Sequence, residues 1–260
     1  MLSLKELLPF YPENLWPFRE FILREYLQHK ILEAIFDEPE LANKICFIGG
    51  TCLRVVHGNN RFSEDIDFDN FNLTPSQFEH VAEVIEKKLT RQGYQVEMKT
   101  VMKGAYHCNI RFPGLLFQEG LSGHHEQKIL VQVDTEPQHY EFTPHRHILN
   151  KFDVFTEITV APLSLLLAQK FYSILNRKRS MGRDFYDCIF LLAKQVKPDL
   201  QYLKQKTNFA TTEDIRSAVL KKCSTLDMKA LAKDVAPFLF NPVDEKKVRM
   251  FEQYIQTAEM

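Results

Sequence analysis

No stretch of the chain approaches the eighteen or so consecutive apolar residues that a membrane-spanning helix needs, so no such helix is expected. The first residues, MLSLKELLPFYPENLW, put charge and proline where a secretion signal requires an unbroken apolar run. The expected compartment is therefore the cytoplasm. Cysteine is sparse and odd in number. Cys46, Cys52, Cys108, Cys188 and Cys223 contain no pair spaced as a metal knuckle, and reduced thiols in a cytosolic protein are the simplest reading. Excess charge is missing too: 33 Lys and Arg against 34 Asp and Glu leave a formal net charge of -1. The total announces no nucleic-acid binder, yet binding follows where charges sit, and a local basic patch is compatible with it. There is no internal repeat, low-complexity tract or flexible linker. What remains is 45% hydrophobic and 26% charged residues over 260 positions, the composition of a globular chain long enough for two packed domains.

Residues 1–44 are expected to be mainly helical, with Pro9, Pro12 and Pro17 interrupting the first part and an amphipathic stretch from Phe18 to Phe36. Ile45–Ile48 is a short apolar run entering Gly49-Gly50, as a buried strand enters a tight turn, and Thr51 is expected to cap a short helix to His57. Ser63–Phe68 has the pattern of a strand, and Thr74-Pro75 opens a helix that stops at Gly93. Three further strands are expected at Tyr94–Val101, His107–Phe112 and Gln127–Asp134. Beyond about residue 160 the spacing turns helical, with little glycine, over Pro162–Leu175, Arg183–Lys194, Thr212–Lys222, Met228–Phe238 and Val243–Ala258. The expected fold is α/β (α+β), a mixed-sheet domain with N-terminal helices over 1–158 and a helical domain over 159–260.

The chemistry concentrates in Phe47–Arg54 and Arg61–Phe68. Strand geometry directs Asp65 and Asp67 to one face and sends Ile66 and Phe68 to the core. Two carboxylates so close repel unless a cation lies between them. Mg²⁺ fits, taking carboxylate oxygens and completing its shell with water and phosphate, and a pair of such ions stabilises both oxygens of an in-line displacement. Gly49 and Gly50 would let the backbone approach a triphosphate, and the helix starting at Thr51 would offer free N–H groups to it. Asp134, at the end of its strand and on one face with Lys128, Leu130 and Gln132, is the candidate third ligand and candidate base. A plain turn and solvated strand-end carboxylates would explain each of these features singly. His124-His125 and the group His139, His145 and His147 show no HExxH-like pattern and are expected on surface loops.

In order along the chain stand Gly49-Gly50-Thr51-Cys52-Leu53, then Arg61-Phe-Ser63-Glu-Asp65-Ile-Asp67, then Lys170 on a later helix, then Arg183-Asp184-Phe-Tyr-Asp187. These elements resemble the AbiEii/AbiGii and MenT-like toxin branch of the DNA-polymerase-β-like nucleotidyltransferases over roughly residues 45–195. Threonine stands where that motif often has serine, which removes some side-chain freedom. Residues 1–40 and 200–260 match nothing beyond being helical. The resemblance implies a bilobed fold with the helical domain facing the catalytic one across a cleft. It implies nucleotide transfer from a nucleoside triphosphate, with magnesium, to an RNA acceptor, tRNA where the acceptor is understood, and a cognate antitoxin partner.

The candidate metal ligands are Asp65, Asp67 and Asp134. Lys170 joins them as a candidate in catalysis, and the candidates for nucleotide binding are Gly49, Gly50, Thr51, Arg61, Ser63, Lys128, Lys170, Arg183, Asp184 and Asp187. A lysine beside the apolar face of its helix can reach a phosphate as a point charge, and Asp184 and Asp187, one turn apart, could anchor Lys170 or Arg183. Arg177, Lys178 and Arg179 form the densest basic group near the motifs. Two alternatives stay open: the same chemistry on a protein or small-molecule acceptor, and a catalytically idle nucleotide-binding module.

Overall fold

Apolar spacing decides most of the elements. The computed structural model describes residues 1–103 and 105–260. In chain order these form α1 (Leu4–Leu7), α2 (Arg19–Phe36), α3 (Pro39–Ala42), β1 (Ile45–Ile48), α4 (Gly49–Val55), β2 (Ile66–Asn70) and α5 (Pro75–Arg91). Next come β3 (Glu97–Lys103), β4 (Ala105–Pro113), α6 (Leu115–Gln118), β5 (Lys128–Glu136), β6 (His145–Lys151) and β7 (Val154–Val160). Helices follow: α7 (Leu163–Asn176), α8 (Gly182–Ala193), α9 (Leu200–Thr207), α10 (Thr212–Cys223), α11 (Met228–Val235), α12 (Glu245–Arg249) and α13 (Phe251–Thr257).

The chain divides into two compact units, residues 1–56 with 62–160, and residues 57–61 with 161–260. The first holds a mixed sheet in the order β3-β4-β5-β2-β1-β7-β6. The pairs β1–β2, β3–β4, β4–β5 and β6–β7 are antiparallel, whereas β2–β5 and β1–β7 are parallel. The interior strand β1 is buried along its whole length, as its unbroken apolar run requires. Helix α5 starts as its sequence dictates, with Thr74 capping the Gln77 N–H and the Gln77 side chain returning to the Thr74 N–H.

Three local expectations are corrected. Thr51 is not a helix cap but the third residue of α4, because the chain turns helical at Gly49 straight from the extended Ile48. The second strand begins at Ile66 rather than Ser63, so Asp65 lies just outside it. Strands β6 and β7 form where no strand was expected, placing His145 and His147 on an edge strand rather than a loop.

In the second unit, helices α7, α8, α10 and α13 enclose Leu166, Phe171, Phe185, Ile215 and Phe251. Phe185 meets Phe251 edge-on, with ring centres 4.9 Å apart. The first residue of α8, Gly182, has no room for a side chain, because a Cβ there would collide with the Leu231 carbonyl of α11. Residues 57–61 join this unit through an Arg61–Leu239 bridge and a hydrogen bond from the Phe240 N–H to the Asn60 carbonyl.

Candidate active site

The glycine turn and the paired aspartates are built around each other. Gly49 has φ +78°, a conformation that a side chain disfavours, and a Cβ on it would overlap the Asp67 carboxylate. The room left by the missing side chain is therefore filled by Asp67. Two residues on, the Thr51 hydroxyl donates to the Asp65 carbonyl and fixes the chain where it enters β2. Ile66 and Phe68 point into the core, while Asp67 stays half-exposed on the opposite face, as the strand period requires, and Asp65, one residue ahead of the strand, is half-exposed too.

Register assembles the rest of that face. Asp67 is flanked by Ile48 on β1 and by Asp134 on β5, and Asp134 in turn is flanked by His107 on β4. Register partners in a sheet share a face, so Asp67, Asp134 and His107 form a row across three adjacent strands. The Asp134 carboxylate lies 2.7 Å from His107 Nδ1 and accepts from Gln132 Nε2 at 2.8 Å on both oxygens. Sequence reasoning missed His107. No local motif marks it, because its partner lies 27 residues away and meets it only through the β4–β5 register.

Asp65, Asp67 and Asp134 offer only carboxylate oxygens, the donor chemistry that suits Mg²⁺. Among the described residues, no three His, Cys, Asp or Glu side chains converge closely enough to hold an ion. Asp67 is turned against Gly49, and Asp134 against His107 and Gln132. The donor types and their shared face fit a divalent cation, and binding one would require these carboxylates to rotate towards each other. Lys128 is not part of this gathering. It stands at the opposite end of β5, about 20 Å along the strand at 3.3 Å per residue, with its amino group 2.7 Å from Glu97.

The second unit contains a charge network of its own. Arg61 grips Asp187 with two parallel bonds, Nε to Oδ1 at 2.7 Å and Nη2 to Oδ2 at 2.6 Å. Asn59 Nδ2 adds a third bond to Asp187 at 2.7 Å. Lys170 Nζ lies 2.9 Å from Asp187 and 3.0 Å from Asp184, and Arg177 reaches the other Asp184 oxygen at 3.1 Å. Burial alone would push the Asp187 carboxyl up. Arg61 and Lys170 outweigh it and hold the group down at about 2. Burial likewise disfavours the charge on Lys170, but Asp187 and Asp184 raise its pKa above the ordinary lysine value.

Arg61 is 1% exposed and Asp187 0%, and the structure places the two, both expected at a nucleotide, in contact with one another inside the helical unit. Lys170 and Asp184 belong to the same network, with side chains 13% and 4% exposed. Arg183 lies over the Phe238 ring, 4.9 Å from its centre. Asn59, in a Gly-Asn-Asn stretch that looks like a turn, gave no sign of this role. Ser63 is buried, ahead of the aspartates.

The model of the AbiEii family, described as nucleotidyl transferase AbiEii toxin of a type IV toxin–antitoxin system, matches residues 30–256. Among solved structures, JHP933 from Helicobacter pylori aligns with 91% of this chain and 90% of its own, at 16% identity and a TM-score of 0.55. That likeness speaks for the fold alone. A second H. pylori structure, described as a candidate nucleotidyltransferase, aligns over 92% of this chain and 97% of its own at 15% identity, with a TM-score of 0.49. Comparison with curated proteins gives no match. The family model spans the glycine turn, the paired aspartates, the β5 carboxylate and the helical charge network alike, and on that coverage the chain belongs to the AbiEii family of nucleotidyltransferase toxins.

Proposed function

We propose that this nucleotidyltransferase is Mg²⁺-dependent and transfers nucleotides from a nucleoside triphosphate to an RNA acceptor of the tRNA class. Asp65, Asp67 and Asp134 would hold the cation, which supplies charge neutralisation at the triphosphate. Asp134 accepts the proton of the attacking hydroxyl on a carboxylate oxygen, with His107 and Gln132 holding that carboxylate in place. The hydroxyl oxygen bonds to the α-phosphorus, the bond to the β-phosphate bridge breaks, and pyrophosphate leaves.

The observation that supports an RNA acceptor is the partition of charge. The helical unit has eighteen Lys and Arg against eleven Asp and Glu, a formal +7; the sheet unit has fifteen against twenty-three, a formal -8. The net of -1 conceals a strongly basic body, the electrostatic footprint of a polyanion binder. Cytoplasmic residence agrees with five buried, unpaired thiols, and the family description brings with it a cognate antitoxin partner.

The test is incubation of the purified protein with each labelled triphosphate and total cellular RNA, with Mg²⁺ and with a chelator. Label entering the tRNA fraction only with Mg²⁺ is the expected result. Label in protein or small molecules, or label indifferent to the chelator, would overturn this reading.

A further inference from the structure

Asp65 lies one residue ahead of β2, outside the ladder, whose pairings begin at Ile66 with β5 and at Asp67 with β1. Its backbone position is set instead by side chains. From α4, the Thr51 hydroxyl holds the Asp65 carbonyl. From α2, Gln28 Nε2 donates to the Ser63 carbonyl at 3.0 Å and to the Glu64 carbonyl at 2.9 Å. Three successive carbonyls leading into the aspartate pair are thus pinned by two side chains. Gln28 is 1% exposed, so neither carbonyl bond has water competing for its donor.

The same helix face also holds α4. Glu25, three residues before Gln28 and therefore beside it on α2, meets Arg54 Nε at 2.7 Å and Arg54 Nη2 at 3.2 Å. Lys151 Nζ and the Tyr11 hydroxyl complete its shell at 2.7 and 2.8 Å. Glu25 is buried, yet Arg54 and Lys151 outweigh that burial and keep its carboxyl at about 2. One face of α2 therefore fixes both the helix that carries Thr51 and the loop that carries Ser63 and Glu64. Glu25 and Gln28 both precede residue 30, where the family match begins.

We propose that Gln28 is a positioning residue for nucleotidyl transfer: its amide holds the Ser63 and Glu64 carbonyls and so sets where Asp65 stands relative to Asp67. This rests on the reading of Asp65 and Asp67 as metal ligands. A displacement of about 1 Å in a reacting constellation costs on the order of a hundredfold in rate, without a matching loss of substrate binding. The decisive variants are Gln28→Met, which keeps the length and removes the donor, and Gln28→Asn, which keeps a buried amide one methylene too short.

Three quantities are read for each: kcat and KM for the triphosphate, Mn²⁺ affinity by electron paramagnetic resonance with triphosphate present, and the melting temperature. Expected are a kcat at least tenfold lower, a KM within about threefold of wild type, and Mn²⁺ binding weakened about tenfold, all at temperatures where the variant is folded. Gln28→Asn, which preserves the buried polar group, decides the matter if Gln28→Met does not fold. Wild-type kcat and Mn²⁺ affinity in either folded variant would overturn the proposal, even with a lowered melting temperature. Failure of the underlying reading looks different: there the wild type itself neither binds Mn²⁺ nor loses transfer in Asp67→Ala.

Discussion

Removing Asp187 should destabilise the helical unit. Its carboxylate is 0% exposed and accepts from Asn59, twice from Arg61 and from Lys170. In Asp187→Ala, Lys170 keeps Asp184, but Arg61, 1% exposed, loses both of its bonds to the Asp187 carboxylate. Breaking a buried pair from one side costs about 3–5 kcal/mol, against a total stability on the order of 5–15 kcal/mol. For a chain of this size that corresponds to a melting temperature roughly ten degrees lower.

Removing both partners is a different perturbation. Arg61→Met with Asp187→Leu leaves no orphaned charge and should recover much of the loss. Acid should act on the same bond. The Asp187 carboxyl is held at about 2 in the folded protein against an ordinary 3.8, so its contribution is complete above the unfolded value and disappears as pH falls from about 4 to about 2. Chemical denaturation of wild type, Asp187→Ala and the double variant at pH 7 and pH 3 tests all of this. A single variant within about 1 kcal/mol of wild type at pH 7, or a double variant weaker than the single, would refute the reasoning.

Asp65→Ala and Asp67→Ala should lose more than a hundredfold in transfer while remaining folded, since several kcal/mol of charge stabilisation leaves with a metal ligand; a retained tenth of wild-type rate in either counts against the metal reading. Gly49→Ala should lose activity and about 1–3 kcal/mol of stability together, because it strains a φ of +78° and displaces the Asp67 carboxylate. A Gly49→Ala protein with wild-type transfer would show that Asp67 has other room. Replacing Arg177, Lys178 and Arg179 with alanine should flatten the salt dependence of RNA binding and leave triphosphate binding nearly intact. Arg177 already serves Asp184 and Arg179 lies 4.0 Å from Asp234, so the loss should stay below three full phosphate contacts, and an unchanged slope would place RNA on another part of the basic unit.

What the sequence could disclose depended on whether a residue's neighbours were near it in the chain. Helix α5 announced both ends because its cap, Thr74-Pro75-x-Gln77, is local, and β1 was legible because a fully buried strand is apolar throughout. Strands β6 and β7 were not. At the sheet edge β6 buries only Leu149, and β7 spends one of its inward positions on Thr156, so neither shows the two-residue apolar period.

The same rule separates the two halves of the candidate site. Asp65 and Asp67 stand two residues apart, a local spacing that the sequence displays. His107 owes its place to a strand register and Gln28 to a helix packed from outside the motif, and neither leaves a local trace. Opposite charges are the harder case. Arg61, Lys170, Asp184 and Asp187 are the residue types that a phosphate site would use, and their spacing is the same whether they face a ligand or one another. Only the tertiary fold brings Arg61 to a carboxylate 126 positions away. A motif arginine can thus be indispensable without touching substrate, and its loss should then be read first on a melting curve and only afterwards in a rate.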